Sequence, residues 1–196
     1  KLDFDRKVHD FSMYSKKRHE VYPELYKQIY EKNSELRNLN KITFVSKGRV
    51  SSKDRIIPFL KGMVVGRKLN SFFQILDIII STEEFENYVS GIPEEMVLEE
   101  VLERVESYLK LRYRLEIAGG ILESEAFFKE NILYISDNVF DIIMGILSDL
   151  YLLATEEKSL SDDKKIFIEN ESNKNVQELR KLLKKELSVG DYSQET

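Results

Sequence analysis

Residues Pro93 to Glu130, PEEMVLEEVLERVESYLKLRYRLEIAGGILESEAFFKE, decide how this chain is read. At a helical pitch, Val97, Leu98, Val101, Leu102, Val105, Tyr108, Leu109, Tyr113, Leu115, Ala126 and Phe127 fall on one broad face. That is the pattern of an amphipathic helix with a buried stripe. The same face carries Arg112, Glu116 and Glu123, with Gly119 and Gly120 between them. Charges and paired glycines on an apolar face raise the question of a site, because each glycine costs roughly 1 kcal/mol against alanine inside a helix. Pro93 falls at the favoured first position of that helix.

Working toward the N-terminus, Ser81 and Glu84 have capping-box spacing, which predicts a short helix over Glu83–Val89. A helical pattern over Gly62–Ile80 precedes it. Asn40–Ser52 has turn-formers and no helical period and reads as a loop. Phe4–Leu39 reads as one long helix with Val8, Tyr22, Leu25, Ile29 and Leu36 on its apolar half. Pro23 lies inside it and predicts a kink near Val21–Tyr22. Arg18 projects from the middle of the apolar half, and a buried guanidinium needs an acidic partner.

Toward the C-terminus, Ser136-Asp137 is an N-cap pair for a helix over Val139–Ala154. That helix is apolar in almost every direction, which places it at the centre of a bundle. Thr155–Asp163 is a polar loop with Ser161 as a cap. A last amphipathic helix over Lys164–Val189 ends at Gly190. The expected fold is therefore all-α, a bundle of about five or six helices with two long ones. Residues 1–190 form one domain and 191–196 a frayed tail.

The chain has 196 residues, no cysteine and a formal net charge of −5. Thiol catalysis and thiolate zinc sites are excluded, and the cytoplasm is the expected compartment. The longest apolar stretch, Ile56–Ile80, is interrupted by Lys61, Arg67, Lys68 and Asp77, too many charges for a membrane span. A membrane segment upstream of Lys1 stays open. His9 and His19 lack the Glu-x-x-His spacing of di-iron bundles, and no nucleophile-elbow glycine pattern is present. No catalytic residue, metal or cofactor is assigned, and a non-enzymatic protein is expected.

Three groups of residues remain as candidates. Arg18, Arg112, Glu116, Glu123, Gly119 and Gly120 would form either a buried ion-pair network or a polar pocket for a small ligand, and the network is favoured. Arg18 is expected against Glu116 or Glu123. Charge is also unevenly placed: Lys41–Lys68 holds eight basic residues against Asp54, and Asp77–Glu106 ten acidic residues against Arg104. Lys47, Arg49, Lys53, Arg55, Arg67 and Lys68 could face nucleic acid, but an acidic partner segment, in this chain or a neighbour, fits the charge balance better. Tyr22, Tyr26 and Tyr30, one turn apart, suit either a core boundary or a seam to a partner helix.

Lys16-Lys17-Arg18-His19-Glu20-Val21-Tyr22-Pro23-Glu24-Leu25-Tyr26 and Leu133-Tyr134-Ile135-Ser136-Asp137-Asn138-Val139 resemble two stretches of a loose group of bacterial and phage helical-bundle proteins of uncharacterised role. The resemblance implies a long-helix bundle in a bacterial or phage setting. It carries no activity, so no site residues follow from it. The functional expectation is a helical protein–protein interaction module, with self-association as a homodimer among its expected forms. A nucleic-acid accessory protein and a small-ligand site are the alternatives.

Overall fold

A computed structural model describes residues 2–39, 82–156 and 159–188, with the isolated positions 52, 54 and 56; side chains are described from residue 12 in the first stretch and from residue 83 in the second. Among the described residues the protein is all-α, with five helices and no strand. They are α1 (Leu2–Leu39), α2 (Thr82–Ser90), α3 (Leu98–Glu130), α4 (Asp137–Thr155) and α5 (Asp162–Ser188), with a 3-10 turn over Ile132–Tyr134. The loop expected over Asn40–Ser52, the helix over Gly62–Ile80, Gly190 and the tail 191–196 lie outside the described residues, apart from Ser52. The chain divides into two compact units, residues 1–37 with 117–196, and residues 38–116.

The first unit is built from α1, the later half of α3, α4 and α5. Tyr22 meets Glu186 and Asn33 meets Asn173, so α1 and α5 run antiparallel. Arg18 meets Tyr134, and Lys32 lies against Gly120, so α1 is also antiparallel to the end of α3. α4 and α5 pack as a hairpin. Its core includes Leu25, Ile29, Ile117, Ile121, Phe128, Ile143, Ile146 and Leu179, each 1 % exposed or less. Ser136 and Ser161 act as the caps that their position before each helix predicts. Ser136 Oγ accepts from the Val139 N–H, and Ser161 Oγ from the Lys164 N–H, each at 3.4 Å.

Two expectations need correction, while one holds: α1 is a single helix through Pro23, which sits on the exposed side, as does His19, whose carbonyl loses its donor. Water can satisfy that carbonyl, so the helix is not ended there. Pro93 does not open α3. Its carbonyl accepts from the Met96 N–H at 3.4 Å, closing a turn, and the first bond toward the helix runs from Val101 N–H to the Val97 carbonyl. α4 is not enclosed on all sides either. Val139, Ile143, Ile146, Leu147, Leu150 and Leu153 are buried, while Asp141, Gly145, Ser148 and Tyr151 form an exposed line. By length and composition alone α4 could cross a membrane.

The buried face of α3 also differs from a single fixed stripe. Val101, Val105, Leu109, Tyr113, Ile117 and Ile121 are buried in succession, always four residues apart. Four residues turn the helix about 40° past a full circle, so this line winds around the helix. A fixed wheel therefore misplaced the later half: Leu115 is 50 % exposed and Ala126 exposed, while Ile117, Ile121 and Phe128 carry the packing.

The second unit, in its described part, packs α2 against the earlier half of α3. Phe85, Val89, Ile92, Val101, Leu102, Val105 and Leu109 are buried there, with Ile56.

Candidate functional site

Arg18 does find an acid, but on another helix than expected. Its Nη1 lies 3.4 Å from Glu186 Oε2 on α5. Nε donates to the Tyr134 carbonyl at 2.8 Å and Nη2 to the Tyr14 hydroxyl at 3.0 Å. The guanidinium also lies over the Tyr14 ring, 4.7 Å from its centroid. Glu186 is filled from its other sides: Tyr22 Oη donates to Oε2 at 2.7 Å, and Ser136 Oγ donates to Oε1. The Ser136 N–H reaches the Tyr22 oxygen at 3.4 Å. Burial first, then the hydrogen bond and charge of Glu186, push the Tyr22 phenol up to about 12. Tyr22 thus stays protonated as a donor at neutral pH. With both Glu186 oxygens and all three Arg18 nitrogens engaged, this arrangement is a clasp joining α1, the 3-10 turn, α4 and α5. It holds a proton network in place and presents no free nucleophile or base.

The other members of the expected charge cluster are not with Arg18. Glu123 is exposed, and so is Glu116. Gly119 faces open space, whereas Gly120 receives the stem of Lys32 from α1. Arg112 does not pair with Glu116 four residues on; its Nη2 reaches Glu84 of α2 at 3.2 Å. Tyr108 donates to the same carboxylate at 3.3 Å and stacks on Tyr88, with centroids 3.7 Å apart and planes 9° from parallel. Burial and then Glu84 raise the Tyr108 phenol. Among the described residues Arg112 Nε is buried without a hydrogen-bond partner. The deeply buried arginine of α3 is Arg114, 9 % exposed, two residues from the one singled out. The apolar-face argument fails for these groups because it assumed an unwound stripe.

Glu186 could have been found. Leu179 and Leu183 are buried on α5, and Glu186 continues their line three residues later, so it breaks an apolar stripe as Arg18 does.

The tyrosine row divides. Tyr22 is 0 % exposed and belongs to the clasp, Tyr30 is 49 % exposed, and the rings of Tyr26 and Tyr30 stack at 5.9 Å. Tyr26 lines a slot of about 160 Å³ between α1 and α5, with Tyr22, Pro23, Leu183 and Leu187, flanked by Arg180 and Lys184. Lys27, Arg180, Lys181, Lys184 and Lys185 are all exposed. Among the described residues none of these five is held by a carboxylate. An apolar slot beside a ridge of unpaired cations is the least self-satisfied surface of the first unit. The sequence reading missed it because the ridge alternates with buried leucines.

No family model, curated protein or solved structure matches the chain.

The basic positions Lys47, Arg49, Lys53, Arg55, Arg67 and Lys68 lie outside the described residues. A second cleft, about 340 Å³, is lined by Met13, Tyr14, Lys16, Lys17, Glu20 and Tyr134. Lys17 pairs with Glu20 at 3.3 Å there, which leaves less unpaired charge than the α5 ridge.

Proposed function

We propose that the protein is a non-enzymatic helical interaction protein that takes an acidic partner helix on the α1–α5 face. The observation that carries this reading is the slot bordered by Arg180 and Lys184 and extended by Lys181 and Lys185, none of them ion-paired among the described residues. An apolar centre with a charged rim is the ordinary anatomy of a protein-binding surface. The cations set partner choice and encounter rate, and the slot supplies the water-excluded contact. Support for a role without catalysis comes from the clasp, whose polar groups are spent on one another.

The test is a titration of the full chain with a fluorescent acidic amphipathic peptide, beside a single-stranded oligonucleotide of equal charge. The reading expects saturable, salt-sensitive peptide binding that is lost in the R180E/K181E/K184E/K185E variant with unchanged helical circular dichroism. Peptide binding indifferent to those reversals refutes it. A clear preference for the oligonucleotide replaces it with a phosphate-binding reading.

A further inference from the structure

We infer that the acidic segment taken by this slot is the turn that leads into α3, with the first residues of α3, in a second copy of the chain, an inference that rests on the interaction reading above. Glu94, Glu95, Glu99 and Glu100 are all exposed, and among the described residues none of the four is in an ion pair. Val97 stands between the two pairs and is 59 % exposed. The helix dipole favours acids at a helix start. It gives no reason for an aliphatic side chain to be bare between them.

The two surfaces match in pattern. On α5 the cations come as Arg180-Lys181 and Lys184-Lys185, with the apolar slot opening between Arg180 and Lys184. Across the turn into α3 the acids come as Glu94-Glu95 before the helix and Glu99-Glu100 in its first turn, with Val97 at the centre. Each is a charged pair, an apolar point and a second charged pair, within six residues on α5 and seven at the turn into α3. Val97 is small enough for a slot of about 160 Å³, and its burial removes an exposed apolar group from each chain. Each copy carries both surfaces, so a two-fold dimer is the simplest assembly that uses each of them once. The rim charges oppose the mutual repulsion of two chains that each carry a net −5.

Sedimentation velocity of the full chain over a concentration series, at about 50 and about 500 mM salt, tests this. The expected result is a dimer whose dissociation constant weakens about tenfold or more at the higher salt. R180E/K181E/K184E/K185E and E94K/E95K/E99K/E100K should each be monomeric. Mixed, they should associate again, because one contact is then restored with reversed signs and the other with its native signs. Where four reversals perturb folding, K184E/K185E and E99K/E100K serve as the smaller pair. A wild-type chain that stays monomeric, or variants that dimerise alone, or a mixture that does not associate, overturns the inference. A labelled peptide of residues 93–104 and an unrelated acidic helix separate this from failure of the broader reading. If either peptide binds the ridge while the chain stays monomeric, only the second-copy assignment falls. If neither binds, both fall.

Discussion

A Cβ on Gly120 would lie 2.5 Å from the Cε of Lys32. The lysine of α1 lies across the glycine of α3 and reaches Glu35 at 3.0 Å. Gly119 meets nothing within 4 Å. Adjacent glycines in one helix therefore have different consequences. Gly119→Ala should raise stability by about 0.5–1 kcal/mol, through lower unfolded-chain entropy and better helix propensity. Gly120→Ala should gain less, because the new methyl displaces the lysine tip and its partly exposed ion pair, worth a few tenths of a kcal/mol. Urea unfolding in the Lys32→Ala background decides the cause. There the two alanine substitutions should be equal, and a persisting deficit for Gly120→Ala would place the obstacle in the backbone.

Glu186 holds three groups, Arg18 and Tyr22 of α1 and Ser136 at the start of α4, so its two simplest substitutions should differ. Glu186→Gln keeps the shape but removes the charge facing Arg18, for an expected loss of about 1–2 kcal/mol. Glu186→Leu leaves Arg18, Tyr22 and Ser136 without their acceptor, and the loss should reach about 2–4 kcal/mol. Equilibrium urea denaturation with an unchanged slope is the measurement. A loss under about 0.5 kcal/mol for the leucine variant would mean that water replaces the carboxylate freely.

The all-α class and most helix limits were readable because capping serines, turn residues and 3.6-residue periodicity are local signals. The helices predicted over Glu83–Val89 and Lys164–Val189 differ from the observed Thr82–Ser90 and Asp162–Ser188 by one or two residues. Contacts between distant positions were not readable in the same way. Tyr22 and Glu186 are 164 residues apart, and nothing local to either marks the other. That Arg18 needs an acid followed from the cost of a bare buried charge, but which acid depends on the order in which helices pack. The buried Asn33, which donates to Asn173 at 2.8 Å and accepts from Ser172 at 3.4 Å, went unnoticed for the same reason. The winding stripe of α3 is the clearest local miss, since a wheel averaged over its whole length blurs a face that rotates.

Asp149 on α4 gives an acid-side prediction. Burial, and then the nearby charge of Glu171 on α5, raise its carboxyl above the ordinary range. A carboxyl raised in the folded state opposes folding where it is ionised, and that opposition fades as pH falls through its folded value. Asp149→Asn should therefore raise the melting temperature at pH 7 by up to about 2 °C. The gap to wild type should close on acidification and vanish near pH 3, where Asp149 is protonated in both states. A gap that is constant with pH would point to packing, not charge.

Tyr22 gives the alkaline counterpart. Its phenol is pushed up to about 12 in the folded protein, against an ordinary value near 10 when unfolded. Below pH 10 the phenol is protonated in both states, so its hydrogen bond to Glu186 contributes fully. Between pH 10 and 12 the unfolded chain loses this proton first, and stability falls with each step. Above 12 the contribution is gone. Tyr108 is raised as well, so the alkaline loss of the whole protein is not assigned to one residue by its shape alone. Tyr22→Phe separates them: it should be less stable than wild type at pH 8, and the difference should shrink from pH 10 upward. Ultraviolet titration should show one fewer late-ionising phenol in that variant. If the two proteins instead lose stability in parallel to pH 12, the Tyr22 proton is not what ties α1 to Glu186.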